Sequence, residues 1–179
     1  MACTPTLSSV TYSCDDLALG GIVKLYVGNK ADLTMVSVSS SDVVTITPAS
    51  SNLLADSDVV EIEFNIKDGF SSFTDVKTVS DGSVTCVPTI TVEIPKMTAT
   101  HRNALEELSN PSAELVAFVK TAAGTFHLVG YEYGLFASTV DMASGVNRGD
   151  KNRIQLTLTG EQQKLSFDIT ESEFADVAG

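Results

Sequence analysis

Residues 60–67 read Val-Glu-Ile-Glu-Phe-Asn-Ile-Lys, and apolar and polar side chains alternate through the whole stretch. Successive side chains of an extended strand point to opposite faces, so this alternation predicts a strand with one buried and one hydrated face. The same period of two recurs over residues 90–94, 154–158 and 165–169. Alternation alone therefore predicts four strands.

Further segments are rich in β-branched or aromatic residues and are bounded by turn-forming residues, which favours additional strands. They are residues 22–27, 33–38, 43–47, 116–121 and 126–131. Glycine-containing pairs that suit tight connections lie at 28–29, 68–69, 81–82, 123–124 and 159–160. We therefore predict a mainly β fold of two packed antiparallel sheets, arranged as a sandwich or barrel.

One segment reads clearly as a helix, over residues 98–110. Thr98 or Thr100 is the expected N-cap, because a threonine hydroxyl can accept a hydrogen bond from the first turn. The apolar stripe of this helix consists of Ala104, Leu105 and Leu108. We predict one short helix that flanks the sheets.

The chain of 179 residues is long enough for one hydrophobic core, so we expect a single domain over residues 1–179. The acidic end, residues 171–179, is expected to be a tail that orders only against a neighbouring molecule. Two stretches, 39–57 and 141–152, are expected to be long irregular loops with a role beyond connection.

Eleven basic and 23 acidic residues give a net charge of −12. This charge repels phosphate backbones and anionic membranes, so sequence-specific nucleic-acid binding is disfavoured. The negative charge is still compatible with a protein surface that DNA slides past without binding. Neither a signal peptide nor a membrane span is recognisable, and we expect synthesis in the cytoplasm.

The three cysteines, Cys3, Cys14 and Cys86, form no C-x-x-C pair, and their odd number favours reduced thiols. The two histidines, His101 and His127, have no metal-like pattern of ligands beside them. The chain also lacks a nucleophile elbow, a Walker loop and a glycine-rich dinucleotide turn. We therefore predict a non-enzymatic protein with no catalytic residue, no cofactor and no metal site.

From Val84 onward the chain presents an ordered series of segments. The series is a strand ending in Ile94-Pro95-Lys96, the helix MTATHRNALEEL, the strand ELVAFVKT, the segment FHLVGYEYGL, a loop with Ser144-Gly145 and Gly149-Asp150, and the strand IQLTLTGEQQ. This order resembles structural proteins in the tail modules of phages and prophages, particularly those of Bacteroidetes hosts, whose nearest functional label is tail tube. The resemblance covers roughly the last hundred residues.

The resemblance implies two packed sheets with a flanking helix, and a hexameric ring whose inner strands form a continuous barrel for DNA passage. Such a protein is located in the virion tail, where its partners are copies of itself and other tail or connector proteins. Candidate lumen-facing acids are Glu61, Glu63 and Glu93, although an ordinary outer sheet face explains them equally well. Candidate ring-stacking contacts are Phe70 and Phe73, which could equally be core residues under a hairpin.

Several alternatives stay open at the level of sequence. The chain could be the main tube subunit or a tube-like ring, terminator or connector protein. It could also be another virion component, such as a head fibre, a decoration protein or an adhesin domain. A soluble β-sandwich module that binds carbohydrate or peptide is a further possibility, which the absence of Trp and the four Tyr residues disfavour.

Overall fold

The computed structural model describes residues 20–38, 44–48, 59–64, 71–95, 97–145, 147, 150 and 152–178. The strands in these ranges are β1 (Ile22–Asn29), β2 (Leu33–Val38), β3 (Val44–Pro48), β4 (Val59–Glu61), β5 (Ser72–Ser80), β6 (Ser83–Pro95), β7 (Leu115–Thr121), β8 (Phe126–Val129), β9 (Leu135–Ala143), β10 (Arg153–Gly160) and β11 (Phe167–Asp168). The helices are α1 (Ala99–Leu108) and α2 (Glu171–Ala178). The predicted mainly β class is confirmed.

Most of the strands belong to one antiparallel sheet rather than to two sheets of similar size. Its nine strands include the path β11-β8-β7-β9-β10-β6-β5, and β1 pairs with both β7 and β4. The second sheet consists of the β2–β3 hairpin. The prediction of two packed sheets was therefore right in its antiparallel character, but one large sheet, together with α1 and α2, supplies most of the described core residues.

The large sheet curls until its two ends meet. Asp75 on β5 accepts hydrogen bonds from the Ser166 backbone N–H at 2.6 Å and the Ser166 hydroxyl at 2.7 Å, just before β11. The ring of Phe73 on β5 lies 5.5 Å from the ring of His127 on β8. Because β5 and β11 are opposite ends of the strand order, these contacts require strong curvature.

Apolar side chains form two clusters, one on each face of the β1–β7–β8 region. The larger cluster lies inside the curled sheet and includes Leu25, Ile90, Leu156 and Leu105 of α1. The smaller cluster lies on the other face and includes Phe118, Phe126 and Phe174 of α2. The strand β7 is buried on both faces over residues 115–119, which explains why it reads as a continuous apolar run rather than an alternation.

Helix α1 begins as predicted. The Thr98 side chain accepts a hydrogen bond from the His101 backbone N–H at 3.2 Å, which identifies Thr98 rather than Thr100 as the N-cap. Leu105 is buried in the core, and Leu108 packs against the same cluster. The predicted apolar stripe therefore faces the sheet at these two positions.

The acidic end is not a tail, because Glu171–Ala178 form helix α2. Thr170 and Glu173 cap its first turn reciprocally: the Thr170 N–H donates to the Glu173 carboxylate at 3.1 Å, and the Glu173 N–H donates to the Thr170 hydroxyl at 3.4 Å. The side chain of Phe174 is buried against Tyr26 and Phe126, with ring centroids 5.4 and 4.9 Å away. The expectation of a tail is therefore corrected for residues 171–178, and Gly179 lies outside the described residues.

The strand predictions are confirmed most fully where both neighbours are long strands. Residues 90–94 and 154–158 form the centre of the β6–β10 pair. Within 60–67 and 165–169, however, the strands are restricted to the short β4 and β11. Residues 65–67 lie outside the described part of the chain.

Sequence patterns missed the two strands β5 and β9. Most side chains of β5 are exposed, and β9 is exposed over 138–142, so neither carries a full alternation of buried and hydrated positions. β9 takes in residues 141–143, which were expected to start an irregular loop. β3 lies within the other expected loop at 39–57 and confirms the strand that was predicted over residues 43–47.

The predicted turns have mixed outcomes. The turn at 81–82 joins β5 to β6, and both of its residues have positive φ, 49° at Asp81 and 80° at Gly82, as a two-residue hairpin requires. The turn at 123–124 joins β7 to β8. Positions 28–29 and 159–160 instead lie at the ends of strands, and 68–69 is outside the described residues.

Candidate assembly surfaces

Two hairpins, β5–β6 and β9–β10, lie side by side and form a four-strand unit in the order β5-β6-β10-β9. Residues that pair directly across antiparallel strands share a face of the sheet. One row of paired residues on the outer face is Ser72, Thr91, Thr157 and Thr139, and the next is Thr74, Thr89, Thr159 and Phe136. The outer face of the unit is therefore dominated by neutral hydroxyl groups; we call it the hydroxyl face.

Glu93 lies in the following row of this face, paired with Gln155, which in turn pairs with Asp141. Its side chain is not presented to solvent, because the residue is only 3% exposed. An Nη1 atom of Arg153 lies 2.8 Å from the Glu93 carboxylate. Glu93 was predicted as a candidate lumen-facing acid; in the structure of the single chain it is instead a buried member of an ion pair.

Glu61 and Glu63 lie elsewhere, at β4 and directly after it. Glu61 lies 3.7 Å from the Lys24 ammonium, and both partners are about half exposed. The hydroxyl of Tyr26, followed by the charge of Glu61, raises the pKa of Lys24. Both acids line a cavity beside α1 rather than the hydroxyl face, so the structure does not bring the three candidate acids onto one surface.

The four-strand unit ends in an edge on each side. Among the described strands, β5 pairs only with β6, and β9 beyond Leu135 pairs only with β10. Because neighbouring strands alternate in direction, β5 and β9 run antiparallel to one another. A copy of the unit placed beside it could therefore pair its β5 with the first unit's β9 in the antiparallel direction.

Both edges carry exposed apolar side chains. Val76 and Val79 on β5 are 58% and 67% exposed, and Phe136 and Met142 on β9 are 50% and 48% exposed. The ladder of β9 with β10 also contains an irregularity at Ser138, whose hydroxyl donates to the Thr157 carbonyl at 3.2 Å. Such a bulge restricts indiscriminate pairing at a free edge.

The aromatic stacking candidates divide between described and undescribed residues. Phe73 is partly buried and packs against the larger core cluster, which agrees with the core alternative rather than with a ring-stacking contact. Phe70 lies outside the part of the chain that the structure describes.

His127 connects three elements through its ring nitrogens. Nδ1 lies 2.8 Å from the Asp168 carboxylate, and Nε2 lies 2.9 Å from the Thr125 hydroxyl. Thr125 is also 2.6 Å from the Thr121 hydroxyl. These contacts connect a carboxylate, an imidazole and a hydroxyl group, and they tie the β7–β8 turn to β11. Sequence spacing missed the cluster because Asp168 is distant along the chain.

Cys86 is a buried free thiol, which agrees with the predicted reduced state for this residue. Burial raises its pKa, with a further contribution from the charge of Asp75. The Sγ atom lies 3.7 Å from the Gln163 carbonyl oxygen. Cys3 and Cys14 are outside the described residues.

Within the described ranges, no three His, Cys, Asp or Glu side chains are grouped as a metal site would require. Neither of the described helices has the length and apolarity needed to cross a membrane. Comparisons with models of protein families, with curated proteins and with solved structures found no match to this chain.

Proposed function

We propose that this chain is a virion structural protein that assembles with copies of itself into the ring of a phage tail tube or tube-like connector. The observation that carries the proposal is the four-strand unit, in which β5 and the part of β9 beyond Leu135 each have a backbone partner on one side only among the described strands. The contact of β5 with Ser166 is made by the Asp75 side chain and not by the β5 backbone. Unpaired edges of this length favour intermolecular pairing, and a ring satisfies every edge without leaving an open end. Together with the family resemblance, this favours a hexameric ring and a non-enzymatic role.

In the proposed ring, β5 of each copy pairs with β9 of the next, and the four-strand units join into one barrel. The exposed valines of β5 and the exposed Phe136 and Met142 of β9 would be covered at these junctions. Covering apolar surface contributes about 25 cal/mol for each Å² removed from water, which adds to the backbone hydrogen bonds of the new ladder.

The hydroxyl face is the surface that we assign to the lumen. Proteins hold DNA mainly through Lys and Arg contacts to phosphates, and the two main rows of this face contain neither residue type. Arg153 borders the face, but its guanidinium is paired with Glu93. Neutral hydroxyls within a chain of net charge −12 would let DNA pass with little retention. The proposal therefore does not require Glu61 and Glu63 to face the lumen.

The decisive experiment compares the oligomeric state of the wild type with that of an edge variant. The backbone N–H of Cys86 donates to the Gln162 carbonyl oxygen, on the side of β6 opposite to β5. The facing residues Lys77 and Cys86 therefore form a non-hydrogen-bonded pair of the β5–β6 ladder. The Lys77 N–H therefore points to the free edge. Lys77→Pro removes that donor while sparing the β5–β6 ladder, and Lys77→Thr is the matched control that retains it.

Light scattering after size exclusion and negative-stain electron microscopy provide the readout. We expect rings or tubes from the wild type and from Lys77→Thr, and smaller species from Lys77→Pro. A wild type that stays monomeric at high concentration, also together with its tail partners, would refute the proposal. Trimers with an extended shape would favour a fibre, and a monomer that binds glycans would favour a binding module.

A further inference from the structure

A groove runs between helix α1 and the short strand β4. It comprises two adjoining cavities of about 280 and 250 Å³, and Val60, Ala104 and Leu108 line both of them. The remaining apolar lining residues are Val27, Ala113 and Leu115 in one cavity and Ile62, Ile94 and Leu105 in the other. Val60 lies between the cavities and is 42% exposed. The groove therefore offers two adjacent, mainly apolar sites, each with room for at least one aliphatic side chain.

Backbone groups of β4 are available along this groove. Among the described strands, β4 pairs only with β1, and the Ile62 N–H donates to the Leu25 carbonyl at 2.9 Å. Because backbone groups alternate in direction along a strand, those of Glu61 are directed away from β1. An extended segment can add to such an edge as a further strand and place alternate side chains in neighbouring pockets.

The charge around the groove indicates what kind of segment fits. Glu61, Glu63 and Glu107 line the two cavities, and neither cavity has a Lys or Arg among its lining residues. Lys24 already lies 3.7 Å from Glu61, so Glu63 and Glu107 carry most of the negative charge that a partner would meet. A cationic partner is therefore favoured. A second copy of this chain is a poor match, because a molecule with 23 acidic and 11 basic residues has few cationic segments to contribute.

We propose that the α1–β4 groove binds an extended segment of a different protein, in which small aliphatic side chains at alternate positions are flanked by Lys or Arg. Alternate side chains of a strand point to the same face and are about 6.6 Å apart, so two of them can face two adjoining cavities. The aliphatic groups supply apolar burial, the strand edge supplies orientation, and the flanking cations select the partner. This inference does not require ring formation, because a single copy of the chain carries the groove.

The test uses the full-length protein and fluorescence anisotropy of a rhodamine-labelled peptide, Lys-Val-Thr-Val-Lys, with blocked termini. We expect saturable binding that weakens as salt is added. The peptides Lys-Ser-Thr-Ser-Lys and Glu-Val-Thr-Val-Glu are the controls for the aliphatic and the cationic requirement, and both should bind at least about fivefold more weakly.

Two charge-reversed variants locate the site on α1. Glu107→Lys changes a residue that lines the groove, whereas Glu106→Lys makes the same change at a neighbouring exposed position that does not. We expect a loss of about fivefold in affinity for the first and little change for the second. Equal loss in both variants would mean non-specific attraction and would overturn the proposal. So would absence of saturable binding, or equal binding of the serine peptide. If raising the protein concentration releases the bound peptide, a second copy of the chain competes for the groove, and this outcome also overturns the proposal.

Discussion

Replacing Arg153 with methionine should destabilise the protein more than replacing both members of its ion pair. Glu93 is 3% exposed, and its carboxylate lies 2.8 Å from the Arg153 guanidinium. Removing one partner of a buried pair leaves a desolvated charge and costs about 3–5 kcal/mol. The Arg153 side chain is 30% exposed, so water can reach this pair, and we expect a smaller loss of about 2 kcal/mol.

The double variant Glu93→Leu with Arg153→Met should lose less than about 1 kcal/mol, because apolar side chains of similar size restore packing without leaving a charge behind. Urea unfolding at one fixed protein concentration, followed by circular dichroism, measures each free energy of unfolding. The double-mutant cycle then isolates the coupling between the two side chains.

The reasoning is refuted if Arg153→Met unfolds at the same urea concentration as the wild type, or if the losses of the two single variants simply add in the double variant. Either result would mean that the carboxylate of Glu93 is solvated in solution. Glu93 would then return to the list of acids that the hydroxyl face can present.

Three further measurements test particular elements of the fold. Phe174→Ala should lower the free energy of unfolding by about 2 kcal/mol, which is less than the ~3–5 kcal/mol of a central core position because α2 can detach by itself. Faster proteolysis confined to the C-terminal segment would agree with this, and an unchanged digestion pattern would contradict it. Thr98→Ala should cost about 1 kcal/mol through loss of the α1 N-cap, whereas Thr98→Ser should cost little, so equal losses would exclude the capping role. In a Cys3→Ser/Cys14→Ser background, Cys86 should react with Ellman's reagent at pH 8 more slowly than an exposed thiol, because burial raises its pKa and lowers the thiolate fraction; an immediate reaction without denaturant would contradict its burial.

Local sequence patterns were sufficient to predict a strand where its side chains alternate between a buried and a hydrated face, because that alternation has the two-residue period of the strand itself. Residues 154–158 alternate because one face of β10 lies on the core and the other belongs to the hydroxyl face. The N-cap at Thr98 and the two-residue turn at Asp81-Gly82 follow from side-chain hydrogen bonding and positive φ, which involve only near neighbours. The capping box formed by Thr170 and Glu173 also involves only near neighbours, but it was not predicted from the sequence.

The sequence by itself determined the mainly β class, the buried strands at its centre, helix α1 and the excess of negative charge. Only the tertiary structure decided that one sheet curls until β5 meets the segment before β11, because that closure depends on contacts between residues far apart in the chain. It also decided that Glu93 is buried beside Arg153 while Glu61 and Glu63 line a separate groove. An alternating pattern states that a side chain lies on one face of its strand, but the packing around that face determines whether water, an ion-pair partner or a neighbouring helix lies against it.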